Sequence, residues 1–392
     1  MQRNIYLLYG IKFSKWLMLY MPVIVVFFQQ NGLSLTQIMI IQAVYSSIIA
    51  ITEVPSGYFS DKIGRKVSLI LGTLFGAFGI TVYAVSTNFT EFFPGSILLG
   101  LSQSFISGTD TALLYDSLKS EGKENEFMKH EGRMVGFGNF AEAIAFIIGG
   151  FIAAYSLRTT LWLQIPIYFL GVVFALFIRE PKTESIHFKG FNLKEIFKHT
   201  FRDNKMLKQA VWFSSIIGVG TLTMAWFIQP YYLWLDIPII YFGILGAALN
   251  LTVAFFSFYL NRIYSFMDEK SLLAIIFFGI PVLYFILSLS AQKFMLVFVF
   301  IFYAIRGIAT PLLRNEINRF TSSEIRATVM SIRSLLIRIL FAVLSPFLGY
   351  ISDKYSLATA FMLSGILILI MLLLGSFSIL TMLYSSSNKN SL

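Results

Sequence analysis

The chain has 392 residues, of which 57% are hydrophobic and only 13% are charged, a balance that excludes a soluble globular protein. The absence of cysteine excludes disulfides and thiolate metal sites. The net charge of +10 would suit nucleic acid, but most lysines and arginines fall in alternate breaks between long apolar runs, so we expect no nucleic-acid partner.

Apolar runs of about 20 residues, the length that crosses about 30 Å of hydrocarbon, recur along the chain. They predict an all-α polytopic membrane protein with twelve transmembrane helices, which we number spans 1 to 12. The predicted spans cover 5–28, 36–57, 67–86, 93–117, 133–155, 159–179, 207–233, 239–260, 272–289, 294–314, 327–350 and 357–384. The first run contains Lys12 and Lys15 and lacks a small-residue cleavage site, so we expect no cleavable signal peptide.

The positive charges predict the orientation of the spans. The breaks after spans 2, 4, 6, 8 and 10 are rich in lysine and arginine, whereas the other set of breaks holds only Arg158, Lys293 and Lys354. Because positively charged loops remain in the cytoplasm, we expect both termini there. The abundance of Phe, Ile, Lys and Asn is typical of AT-rich bacteria, so we expect a bacterial inner-membrane protein.

An internal repeat relates the two halves of the chain. A shift of 200 residues places 149–159 on 349–359, Asp116 on Glu316 and Asp61-Lys62 on Asn261-Arg262. This predicts two pseudo-symmetric six-helix bundles, 1–179 and 207–384, with a cytoplasmic linker at 180–206 and a cytoplasmic tail at 385–392. The linker sequence FNLKEIFKHTF has an apolar period of three to four, which predicts an amphipathic helix lying on the membrane surface.

Residues 57–66, GYFSDKIGRK, form a charged break between spans 2 and 3. A tight turn rich in positive charge, with Gly57 and Gly64 on either side of Asp61, suits a cytoplasmic hairpin between membrane helices. The spacing G-x-x-x-D-x-x-G-R-K, directly after a second span, resembles the signature loop of the major facilitator superfamily of transporters. With twelve spans and duplicated halves, the resemblance extends over the whole chain.

The resemblance implies two bundles that alternate access to a site near the middle of the membrane. It also implies a conformational gate at the loop. Asp61 would cap the start of span 11 in the outward-facing state, and Arg65 would pair with an acid at the cytoplasmic end of span 4, which we assign to Asp116. A carboxylate is stabilised at a helix N-terminus, so breaking such a cap would favour opening. The alternative is a solvated turn that only determines topology.

The chain departs from the family pattern in two places. The span 4 pattern R-x-x-Q-G has serine, Ser104, at its arginine position. The exporter pattern G-x8-G-x3-G-P-x2-G-G in span 5 is half present, because its Gly-Pro pair is replaced by Ala-Phe. The residues at its positions are Gly132, Ala141, Ala145, Phe146, Gly149 and Gly150. The export signal is therefore weak.

Ionisable side chains within the apolar spans are candidate functional groups, because an unpaired charge in hydrocarbon is costly. They are Lys12, Lys15, Glu53, Asp110, Glu142, Arg306, Arg333 and Arg338.

Similar depth predicts three relationships among these groups. Lys12 would pair with Asp110. Glu53 and Arg333, near the cytoplasmic ends of spans 2 and 11, would form a gate pair, and we assign Arg338 to the gate with them. Glu142 and Arg306, near mid-span, would contact substrate or proton.

Desolvation lets a carboxylate titrate near physiological pH, so Glu142 or Asp110 is the expected proton carrier. The alternative is that these charges are static ion pairs. Trp16, Tyr20 and Trp226 could stack on an apolar or cationic ligand, or belong to interfacial aromatic belts.

These features predict a secondary active transporter, with proton-coupled export of a small hydrophobic or amphipathic compound as the leading function. The intramembrane cations favour the alternative, a transporter of a polar or anionic solute. A membrane enzyme or scaffold is a remote alternative, because the sequence lacks a nucleophile or histidine constellation near an interface. We expect a monomer in the lipid bilayer that handles a small molecule and protons, with no cofactor, metal or enzymatic activity.

Overall fold

The computed structural model describes residues 2–180, 199–322 and 325–376. Within these ranges the secondary structure is helical and contains no strand, which confirms the all-α prediction. Eleven of the described helices are long and apolar enough to cross a membrane. The predicted twelfth, span 4, is present as two consecutive helices.

The chain divides into two compact units. The first contains residues 1–187 and 237–247, and the second contains residues 188–236 and 248–392. In the first unit, the helices of spans 1 to 6 are Gln2–Trp16 with Ile24–Gln30, Leu35–Ile63, Arg65–Val85, Phe89–Ile106 with Thr109–Lys119, Phe127–Tyr155 and Leu157–Leu176.

Span 4 is broken at Ser107 and Gly108. Gly108 has a φ of +81°, a left-handed conformation that glycine adopts without the steric cost of a side chain. The helix Phe89–Ile106 ends before it, and a new helix begins at Thr109. The break therefore creates a helix N-terminus inside the first unit, directly before Asp110.

The turn between spans 2 and 3 is much shorter than the sequence predicts. The helix Leu35–Ile63 continues through Gly57, and Gly64 alone separates it from Arg65–Val85. Gly64 has a φ of +118°, whereas Gly57 is helical. The expected turn between two glycines is therefore wrong at Gly57, because a helix accommodates one glycine at a cost of only about 1 kcal/mol.

In the second unit, spans 7 to 12 are the helices Lys205–Trp234, Ile240–Phe258, Glu269–Ser288, Leu296–Arg319, Arg326–Lys354 and Leu357–Ser376. Residues 240–247 of span 8 belong to the first unit. The amphipathic helix predicted in the linker falls largely on 181–198, outside the described residues, as does the predicted tail at 385–392.

The small residues of span 5 allow close packing in the first unit. Ala141 and Ala145 are fully buried. A Cβ on Gly149 would collide with the backbone oxygen of Leu19, and a Cβ on Gly150 would lie 2.9 Å from the Cα of Gly243. The surviving half of the exporter pattern therefore has a packing role in this structure.

Arg158 joins three helix ends at the end of the first unit opposite Gly64. Its guanidinium donates to the carbonyl oxygens of Ala84 at 2.6 Å and Ser86 at 3.0 Å, and to Asn31 Oδ1. It also lies over the Phe27 ring, 5.1 Å from the centroid. One side chain therefore links the ends of spans 1, 3 and 6.

Replacing Arg158 by lysine is expected to destabilise the protein by about 1.5–3 kcal/mol, because an ammonium cannot reproduce the planar fork of donors. The midpoint of thermal unfolding of the purified protein would measure the change. Arg262→Lys is the control, since Arg262 is exposed. Equal midpoints for the two variants would contradict the structural role of Arg158.

Candidate functional site

The break in span 4 places Asp110 against Lys12 of span 1. Lys12 Nζ lies 2.9 Å from Asp110 Oδ2, and the Asp110 side chain is only 5% exposed. The second carboxylate oxygen, Oδ1, accepts the backbone N–H of Thr111 at 2.9 Å. Asp110 also lies in the first turn of its helix, where the helix dipole favours a negative charge. The pairing expected from depth is present, and its role in transport stays a prediction.

Glu131 of span 5 brings a second carboxylate to this pair. Thr111 Oγ1 donates to Glu131 Oε1 at 3.2 Å, and the charges of Asp110 and Lys12 both act on the Glu131 carboxyl. Glu131 Oε2 is buried and has no hydrogen-bond partner among the described residues. Glu131 is therefore connected to the Lys12–Asp110 pair through Thr111; we call Lys12, Asp110 and Glu131 the acid cluster.

Sequence reasoning missed Glu131 because it started span 5 at residue 133. The helix begins at Phe127 instead, so Glu131 is helical and lies one turn inside. Glu131, the second acid in the segment EFMKHEGR, is the signal that could have identified this site. Its charged neighbours, however, are typical of a solvated loop.

Two aromatic residues of span 1 pack against span 5. Tyr9 Oη lies 2.7 Å from His130 Nδ1, and His130 Nε2 lies 3.4 Å from Glu126 Oε2. Trp16 packs on Gly138, where an added Cβ would lie 3.4 Å from the indole ring. Trp16 Nε1 is buried and has no hydrogen-bond partner among the described residues.

The other predicted substrate residues lie on spans 1, 5 and 7. Tyr20 is buried, and its hydroxyl lies 3.4 Å from that of Tyr168. Lys15 and Glu142 are half-buried on spans 1 and 5, and Trp226 is half-buried on span 7. The contacts of these residues with substrate or proton stay predictions.

Arg65 and Asp116 form the ion pair that the family resemblance implies. The Arg65 guanidinium contacts the Asp116 carboxylate and also donates to the Ala112 backbone oxygen. Asp116 is buried in Thr109–Lys119, whereas Asp61 is exposed near the end of span 2. The structure thus joins span 3 to span 4; the gating roles of this pair and of Asp61 stay predictions.

Glu180 is a further contact at this turn that sequence reasoning missed. Its two carboxylate oxygens accept the backbone N–H groups of Arg65 at 2.8 Å and Lys66 at 2.7 Å. These N–H groups open the helix of span 3 and lack helical acceptors, so the carboxylate caps it. The beginning of the predicted linker is thereby held at Gly64, a contact between residues far apart in sequence.

The second unit has a different arrangement at the repeat position of Asp116. The 200-residue shift places Glu316 there, but it places Ser265 at the position of Arg65. Glu316 is buried beside the carboxyl of Glu269, and Arg319 Nη1 lies 3.8 Å from Glu269 Oε1. Burial and the nearby carboxyls of Glu269 and Glu316 raise the pKa of Tyr264, which lies in the loop before span 9. The acid of the second unit thus lies beside a second acid, Glu269, which forms the ion pair with Arg319.

Three predicted arginines lie in spans 10 and 11 of the second unit. Arg306 lies over the Tyr303 ring at 5.4 Å, and Arg333 Nε donates to Ser214 Oγ of span 7. Arg338 Nε is buried and has no hydrogen-bond partner among the described residues. The predicted pairing of Arg333 with Glu53 would join the two units and stays a prediction.

The described residues contain no group of three or more histidine, cysteine or acidic side chains placed to hold a metal ion.

The fold and these helix contacts are those of a membrane transporter, and comparison with known proteins identifies the family. The model of the Major Facilitator Superfamily matches residues 13–336. The chain therefore belongs to this superfamily and is a multi-pass transmembrane transporter, which confirms the predicted family and fold class.

Two relatives of known activity resemble parts of the chain. Multidrug resistance protein 2 of Bacillus subtilis (strain 168) is 27% identical over 175 residues, 43% of this chain and 41% of the relative. Quinolone resistance protein NorA of Staphylococcus aureus (strain MRSA252) is 25% identical over 171 residues, 42% of each chain. The chain thus matches less than half the length of these relatives.

Solved structures show the same fold at low sequence identity. The nucleoside transporter NupG has a TM-score of 0.80 and 14% identity, with 96% of this chain and 98% of that chain covered. A POT family transporter in complex with a thioalcohol conjugated peptide has a TM-score of 0.69 and 14% identity, with 95% and 94% covered. At this identity the likeness establishes the fold alone.

Proposed function

We propose that the protein is a secondary transporter that exports a small hydrophobic or amphipathic compound in exchange for protons. The acid cluster supports this proposal more than any other feature. Two carboxylates and one ammonium meet where spans 1, 4 and 5 pack together in the first unit. Proton coupling needs a group that alternates between charged and neutral forms, and this cluster can supply it.

The charge balance of the cluster explains how a proton would bind. One ammonium neutralises one carboxylate, so the second either carries an uncompensated charge or takes up a proton. Protonation of Asp110 would allow Lys12 to turn to Glu131, and this change would couple the proton to the packing of spans 1, 4 and 5.

The export direction and the drug-type substrate are supported by the relatives and by span 5. The matched proteins are named for multidrug and quinolone resistance. The small residues of the exporter pattern that survive in span 5 are used for close packing, as at Gly149 and Gly150. We propose the same substrate class for this chain.

A polar or anionic solute is the second candidate, because the second unit contains the arginines Arg306, Arg333 and Arg338 in its apolar spans. For either candidate, we propose an inner-membrane monomer with both termini in the cytoplasm. The proposed gate consists of the loop from Gly57 to Arg65 with Asp116, together with Glu53, Arg333 and Arg338.

Transport in inside-out vesicles would test the proposal. With an acidic vesicle interior, we expect the wild-type protein to accumulate a cationic dye, and we expect a protonophore to release it. Vesicles without the protein are the control. If a folded protein accumulates no dye, the drug-type substrate is wrong; uptake of an anionic dye in the same vesicles would then support the second candidate.

A further inference from the structure

The second unit holds half-buried arginine side chains in its apolar spans without supplying described acids to pair with them. Within its described residues, no carboxylate lies within 4.0 Å of the Arg333 or Arg338 guanidinium. The first unit differs, since Lys12 and Arg65 each contact a buried acid there. A guanidinium within an apolar span and without a counter-charge is costly, so its presence calls for a partner.

Arg333 is the most constrained of these side chains. It lies seven residues into the helix Arg326–Lys354, about 10 Å from its start at 1.5 Å per residue. Its Nε donates a hydrogen bond to Ser214 Oγ, and Ser214 is fully buried in span 7. The serine orients the guanidinium and leaves the two terminal nitrogens as donors.

The surroundings of Arg333 are apolar on both sides along the helices. Towards the start of span 11, Val329 belongs to a buried cluster with Leu207 and Val211 of span 7. On the other side, Ile337 packs directly on Gly218 of span 7. The guanidinium therefore lies between two apolar contacts that cannot neutralise it.

The positive charge of Arg314, on the neighbouring span 10, makes an anion beside Arg333 more favourable. Arg314 of span 10 acts electrostatically on Arg333, and both groups are positive. Arg314 is itself exposed. Two cations beside a buried hydroxyl are the donors that bind carboxylate or phosphate groups.

We propose that Arg333, oriented by Ser214 and assisted by Arg314, is a binding site for an anionic group, a carboxylate or a phosphate. The group belongs either to the transported compound or to the headgroup of a membrane lipid. In the first case the proposal deepens the second candidate of the proposed function, on which it then rests, because the transported compound carries a negative charge. In the second case it is independent of transport.

Binding is measured without a proton gradient, so that its failure is distinct from a failure of transport. The full-length protein is placed in nanodiscs of phosphatidylcholine and titrated with inorganic phosphate, with sodium chloride holding the ionic strength constant. We expect phosphate to raise the midpoint of thermal unfolding. Arg333→Gln should weaken the apparent affinity at least about tenfold, because hydrogen bonds to a charged group are lost.

Two further variants are matched controls. Arg333→Lys keeps the charge and should retain part of the stabilisation by phosphate. Arg262→Gln removes an exposed charge of the same unit and should respond to phosphate as the wild type does. Without phosphate, Arg333→Gln should be at least as stable as the wild type, because it removes a half-buried charge that has no counter-charge among the described residues of its unit. A clear loss of stability without phosphate would show that Arg333 has a structural partner, and would overturn the proposal.

Nanodiscs that also contain phosphatidylglycerol distinguish the two sources of the anion. If this lipid stabilises the wild type but not Arg333→Gln, and removes the response to phosphate, the site binds a lipid headgroup. If the response to phosphate persists, the site binds a solute anion. Both results support an anion site. Equal responses of wild type and Arg333→Gln, or no response to either anion, would overturn it.

Discussion

Asp110→Asn is expected to slow dye export driven by a pH gradient by at least about tenfold, which corresponds to about 1.4 kcal/mol. The amide keeps the shape of the side chain but can neither neutralise Lys12 nor release a proton. Lys12 would then pair permanently with Glu131, the remaining carboxylate of the acid cluster. The initial rate of dye accumulation in inside-out vesicles measures the effect.

Glu124→Gln is the matched control, because Glu124 is an exposed acid in the segment that leads to span 5. It should export at the wild-type rate. Glu131→Gln should resemble Asp110→Asn, since either change leaves one acid for one ammonium. Wild-type export by both cluster variants would show that the coupling proton binds elsewhere, and Glu142 would be the next acid to test.

Gly149→Ala is expected to destabilise the protein by about 1–3 kcal/mol, the usual cost of overpacking a tight interface. Its Cβ would collide with the backbone oxygen of Leu19. That backbone has little freedom to move, because the N–H of Leu19 is held by Gln164 Oε1 at 2.8 Å. The midpoint of thermal unfolding of the purified protein measures the change.

Gly132→Ala gives a control of opposite sign in the same helix. No atom lies within 4 Å of the position of its added Cβ. Alanine has the higher helix propensity, so this variant should be unchanged or more stable by up to about 1 kcal/mol. If the two alanine variants had the same stability, the close approach of Gly149 to Leu19 would be irrelevant to folding.

Part of the candidate site could be predicted from the sequence because depth in a membrane helix is proportional to residue number. The heights of Lys12 and Asp110 in their spans place them together, and the structure shows the ion pair. The pairing of Arg65 with Asp116 followed from the family resemblance. Glu131 was missed because its helix begins earlier than the hydropathy boundary.

Contacts between distant segments could not be predicted in this way. The capping of Arg65 and Lys66 by Glu180 joins a turn to a residue more than a hundred positions away. The turn at Gly64 is also shorter than predicted. The apolar run of span 2 ends at the charged residues, whereas the helix continues through them.

By itself, the sequence determined the fold class, because it depends on apolar length and charge position along one chain; the repeat that relates the halves stays a prediction. The tertiary structure decided which charges are neutralised. Asp110 is paired with Lys12, whereas the Nε of Arg333 donates to Ser214, a neutral side chain. Neutralisation depends on which helix faces meet, and packing in three dimensions determines those faces.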